Sequence, residues 1–79
     1  MKHTDLKAIY NFLFNEGYTT ISDPTYFIKN KIGIDVFDDG LTQIWRRDTD
    51  EQIGEIKVKS YAMFVKRYRE LEGEKWGLK

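Results

Sequence analysis

Residues 32–58 read IGIDVFDDGLTQIWRRDTDEQIGEIKV, and the fold turns on them. Phe37-Asp38-Asp39-Gly40-Leu41 suits a three-residue hairpin loop, in which two right-handed residues precede a left-handed glycine and form a G1 bulge. That register sets Phe37 opposite Leu41 and Ile34 opposite Ile44. A second loop, Asp48 to Gln52, returns the chain. Pairing Arg47 with Ile53 then puts Ile44 opposite Ile56 and Thr42 opposite Val58. Two independent loop choices give one continuous row, Ile34–Ile44–Ile56, which a one-residue slip would scatter across both faces. The pattern predicts a three-stranded antiparallel meander.

Helices are expected on either side of it. Over residues 5–16, Leu6, Ile9, Tyr10 and Leu13 recur at the spacing of one buried helical face, with Phe12 and Phe14 flanking the stripe. Thr4 suits the N-cap, and Gly17 sits where a left-handed residue ends a helix. Over residues 60–72, Ser60 suits the N-cap, Tyr61, Phe64, Val65, Tyr68 and Leu71 form the stripe, and Gly73 stops it. Between the first helix and the meander, Asp23-Pro24 reads either as a helix start or as the lead into a strand. Tyr26-Phe27-Ile28 favours the strand on propensity. The expectation is an α+β fold of order α-β-β-β-α, with an extra short strand near Tyr26–Lys29 and both helices on one face of the sheet.

The chain has 79 residues, enough for a single domain spanning residues 1–79, with residues 74–79 as a flexible tail that contains Trp76. A domain of this size buries only about 60% of its unfolded surface. No cysteine is present, which removes thiolate metal sites and fits a reducing, cytoplasmic setting. Aromatic residues make up 15% of the chain and compensate for its size, since each buried ring removes roughly 150–250 Å² from water. Neither a signal peptide nor an apolar run of the roughly 20 residues needed to span a bilayer is read, so no membrane partner is expected.

Catalytic and metal chemistry find little support. His3 is the only histidine, and Ser60 has no base beside it in sequence. No glycine loop for phosphate is visible. Asp48-Thr49-Asp50 opens like a calcium loop, but Ile53 stands where that loop needs glycine. Asp38 and Asp39 lie at the far end of the hairpin, about 20 Å away along six strand residues. The expectation is a protein without cofactor or metal, and not an enzyme.

Two surfaces remain. On the sheet face away from the helices, Phe37, Leu41, Trp45 and Ile53 are expected together, with Arg47, Asp35, Gln43, Glu55 and Lys57 on the same side. That group is more apolar than solvation requires and predicts a protein-binding or self-association patch. The competing structural reading has the tail cover it, or the Trp45 ring cover Gly33. The second surface comes from charge segregation behind a formal net charge of zero. Residues 35–55 hold seven acids and two bases, a net −5, and residues 57–69 hold five bases and no acid, a net +5. Arg46, Lys66, Arg67 and Arg69, interleaved with aromatics, predict as an alternative a nucleic-acid contact along the second helix.

In general style the chain resembles small accessory proteins of bacteria or their phages: compact, cysteine-free and charge-dense, with a short basic-aromatic tail. The resemblance covers no defined motif. It implies a blocker of a host enzyme or a defence complex.

Overall fold

The computed structural model describes residues 3–57 and 59–73. Among them the order is α1 (His3–Asn15), β1 (Thr19–Thr20), β2 (Tyr26–Lys29), β3 (Ile32–Val36), β4 (Leu41–Arg46), β5 (Glu51–Lys57) and α2 (Tyr61–Gly73). The strands form one antiparallel meander, β1-β2-β3-β4-β5. The fold is α+β, as expected, but the sheet has five strands rather than three. Val58, the expected partner of Thr42, and the tail with Trp76 lie outside the described residues.

The first helix ends as its sequence dictates. Gly17 takes φ +101°, its N–H donates to Phe14, and the Tyr18 N–H reaches back to the Leu13 carbonyl at 3.0 Å. This pair of bonds is a Schellman cap, and the apolar contact that accompanies it falls to Leu13 and Tyr18, both buried. The second helix starts on the Ser60 hydroxyl, which accepts from the Met63 N–H at 3.3 Å. That bond satisfies one of the donors a helix start leaves unpaired.

The hairpin from β3 to β4 follows the expected register. Gly40 takes φ +91°, and the Phe37 N–H donates to the Leu41 carbonyl at 2.8 Å. Ile34 pairs with Ile44, and Val36 with Thr42.

The hairpin from β4 to β5 departs from expectation. Trp45 pairs with Gln52 and Arg46 with Glu51, while Ile44 pairs with Gly54 and Thr42 with Ile56. Arg47 does not pair with Ile53. Ile53 is the extra residue of a β-bulge between the two halves of the ladder. Two local features set this loop: Asp50 takes φ +57°, a conformation aspartate tolerates, and the Arg46 side chain clasps Asp48 at 3.1 Å. Beyond the bulge the slip amounts to two residues, so Ile56 keeps its face and is 1% exposed.

The extra strand expected near Tyr26–Lys29 is present as β2, and the unforeseen β1 completes the sheet. Tyr26–Lys29 pairs with Ile32–Asp35 across a two-residue turn, Asn30-Lys31, in which Asn30 rather than a glycine takes φ +54°. Asp23 organises the preceding loop by accepting from the Thr25 N–H at 2.9 Å and hydroxyl at 2.7 Å. It therefore serves a turn and caps no helix. Both helices cover one face. Leu6, Ile9 and Leu13 of α1 and Phe64, Tyr68 and Leu71 of α2 bury against Phe27, Ile32, Ile34, Val36, Ile44 and Ile56. Phe12 joins the helices, its ring edge-on to Phe64 and Tyr68 at 6.0 and 5.1 Å.

Candidate functional site

Strand alternation assigns the opposite face of the sheet residue by residue. One row across it runs Ile28, Gly33, Trp45, Gln52, and the next runs Tyr26, Asp35, Gln43, Glu55. A third begins with Leu41 and Lys57. Both helices pack their buried residues on the other side, with Ile34 and Ile44. Tyr26, Ile28, Leu41 and Trp45 on this face are half-buried.

Gly33 sits at the centre and is buried. A side chain there would run into the ring of Tyr26. The ring nearest this bare backbone is thus Tyr26, on β2, while Trp45 is its cross-strand partner on β4. Tyr26 and Ile28 were expected in an extended segment but not on this face. Only the pairing of β2 with β3 brings them here.

Of the sequence-predicted patch, Phe37, Leu41 and Trp45 lie along this face. Phe37 is 43% exposed and, with Leu41, Gln43 and Thr25, lines an open pocket of about 500 Å³ rimmed by Asp38 and Asp39. Ile53 is displaced by its bulge and packs against the buried core. Arg47 donates from its guanidinium to the Asn30 carbonyl at 3.0 Å, which draws it to the turn between β2 and β3.

Asp35 stands in the middle of the face, between Tyr26 and Gln43. Burial pushes its pKa up, the negative charge of Asp23 pushes it further, and the indole N–H of Trp45 draws it part of the way back. That indole nitrogen is buried, yet it closes no hydrogen bond among the described residues. Asp23 and Asp38 also raise the pKa of Tyr10, whose first cause is burial. Asp23 thus acts on both Asp35 and Tyr10. In the other loop Asp48 is compensated: Arg46 holds its carboxyl below the usual carboxylate range, and Lys31 stands 3.7 Å from it.

Arg46, Arg69 and the pair Lys66 and Arg67 fall in three separate places. Arg46 lies at the end of β4 with Asp48. Arg69 grips Glu16 through two bonds of 2.7 and 3.0 Å, reaches Glu72 at 2.9 Å and stacks 5.2 Å above Phe12. It ties the end of α1 to α2. Lys66 and Arg67 line a smaller groove of about 310 Å³ with Lys57 and Met63, and there Arg67 pairs with Glu70 at 3.1 Å.

Among the described residues, no group of three histidine, cysteine, aspartate or glutamate side chains could hold a metal ion. No described helix is long and apolar enough to cross a membrane. Comparison with protein-family models, with curated proteins and with solved structures gives no match.

Proposed function

We propose that this protein is a non-catalytic binding module that docks another protein on the outer face of its sheet, around Trp45. The observation that carries the reading is the half-buried group of Trp45, Tyr26, Ile28 and Leu41 on a sheet face that neither helix covers. Interfaces favour tryptophan and tyrosine anchors at their centre, surrounded by polar residues. Gln43, Gln52, Glu55 and Lys57 supply such a rim from the same face. A rigid aromatic surface on a small, cysteine-free domain also suits a blocker of a host enzyme or defence complex acting in the cytoplasm. A second copy of the chain is the other occupant such a face takes.

The test is Trp45→Ala. The variant should keep the fold and lose association, read as self-association by sedimentation over a range of concentrations and as capture of a partner protein from lysate. If both survive the substitution, Trp45 is not the anchor and the reading fails.

The alternative, a nucleic-acid contact, rests on Lys57, Lys66 and Arg67, which line one groove that Arg46 and Arg69 do not join. Phosphate contacts would make retention on DNA or heparin fall steeply with salt. Charge reversal of Lys66 and Arg67 would then abolish it.

A further inference from the structure

We propose that the segment docked on this face carries an arginine, whose guanidinium pairs with the carboxylate of Asp35 while lying against the rings of Tyr26 and Trp45. The inference rests on the reading that the outer face binds protein, and it names the chemistry of what is bound.

Three observations converge. Asp35 is half-buried at the centre of the face, and its cross-strand neighbours, Tyr26 and Gln43, carry no charge. The charge that acts on it is Asp23, of the same sign. The chain's own arginines are committed elsewhere: Arg46 to Asp48, Arg47 to the Asn30 carbonyl, Arg67 to Glu70, and Arg69 to Glu16 and Glu72. A half-buried carboxylate with a like charge nearby and no cation against it among the described residues is a cost to the folded state, and an asparagine of nearly the same shape would avoid it. A cation arriving with a partner removes the cost at the moment of binding.

The surroundings choose arginine over lysine. Guanidinium is planar, weakly hydrated and able to donate two parallel bonds to one carboxylate while its face rests on an aromatic ring. Tyr26 lies next to Asp35 across the ladder, and Trp45 lies one step along β4 from Gln43 on the same face. The indole N–H of Trp45 already acts on Asp35 without closing a bond to it. Asp38 and Asp39, at the rim of the neighbouring pocket, extend the negative field and favour a basic segment over an acidic one.

The experiment titrates the full isotope-labelled chain with a capped Gly-Arg-Gly peptide, followed by amide and indole resonances. The comparison peptide replaces arginine by citrulline, which keeps the shape and loses the charge. At millimolar arginine peptide, the Trp45 indole and the amides of Gly33, Asp35 and Gln43 should shift. The citrulline peptide should bind at least about tenfold more weakly. Asp35→Asn should erase the difference between the peptides while unfolding no earlier than the parent, so the loss cannot come from misfolding. Absent shifts on this face, equal shifts with citrulline, or an arginine preference that survives Asp35→Asn would overturn the proposal. If the proposal fails while Trp45→Ala still abolishes association, the face docks protein through other chemistry. If Trp45→Ala also leaves association intact, the binding reading fails with it.

Discussion

The hydroxyl of Tyr18 lies 3.0 Å from the hydroxyl of Tyr68, fifty residues away in sequence, and both side chains are buried. The bond joins the residue that closes the α1 cap to the buried stripe of α2. Lys29 sits 4.7 Å above the Tyr18 ring and donates to the Glu16 carbonyl at 2.8 Å, tying β2 to the same corner. Removing the Tyr68 hydroxyl takes this partner from the buried Tyr18 hydroxyl, which typically costs about 1–3 kcal/mol. Tyr68→Phe should destabilise the protein by that order in urea unfolding. Tyr18→Phe together with Tyr68→Phe should cost less than the sum of the single changes, and strict additivity would show that the two hydroxyls do not depend on each other.

The same pair sets the alkaline limit of the fold. Burial pushes the Tyr68 phenol up to about 12, and burial followed by its bond to Tyr68 raises Tyr18 as well. An unfolded tyrosine ionises near pH 10. Above about pH 10 the unfolded chain therefore sheds phenolic protons that the folded chain retains, and stability falls as pH rises. The contribution is fully present below pH 10 and is lost progressively toward about pH 12. The thermal midpoint should drop through this window, and the drop should be shallower in the double phenylalanine variant.

Thr42 presents the opposite case. It is 1% exposed on the helix-covered face, paired with Ile56, and its hydroxyl has no hydrogen-bond partner among the described residues. Valine keeps the branched shape and removes the unpaired group. Thr42→Val should stabilise the protein by about 1 kcal/mol, measured as a higher urea midpoint at unchanged slope. A loss of stability would mean that the hydroxyl has a partner after all.

At the loop of the β3–β4 hairpin, Gly40 holds φ +91°, where a Cβ is strained. Leu41 donates its N–H to the Asp39 carboxylate at 3.1 Å and fixes the loop from the other side. Gly40→Ala should therefore cost about 1 kcal/mol or more. A neutral result would exclude the left-handed glycine.

These residues also mark what could be read from sequence. Phe37 to Leu41 was legible because Asp-Asp-Gly between apolar runs encodes a defined loop, and both helices were legible from their stripes and from Gly17 and Ser60. The Ile53 bulge was not, because an inserted residue leaves the apolar alternation intact on both sides of it. Ile56 therefore stayed on its predicted face while every pairing on β5 changed. Strand β2 was half-legible, since Tyr26-Phe27-Ile28 looks extended but Asn30-Lys31 lacks the glycine that announces a hairpin. Strand β1 has only two residues, too few for any alternation. The candidate face suffered most from this, because Tyr26, Ile28 and the isolation of Asp35 depend on β2 being in the sheet.

Ile44 and Trp45 are neighbours in sequence on opposite faces, and they separate the core from the proposed interface. Ile44 is fully buried, pairs with Ile34 and Gly54, and has its side chain among those of both helices. Ile44→Ala opens a cavity there and should cost roughly 2–5 kcal/mol. Trp45→Ala removes a larger side chain, but from a face no helix covers, so the surroundings lose less and water fills the space. Its cost in urea unfolding should be the smaller of the two, in spite of the larger change in volume. The reverse order would place the Trp45 ring in the core of the domain, where it could not anchor a partner. The docking surface would then have to be sought at the acidic rim formed by Asp38 and Asp39 or along the groove beside Lys66 and Arg67.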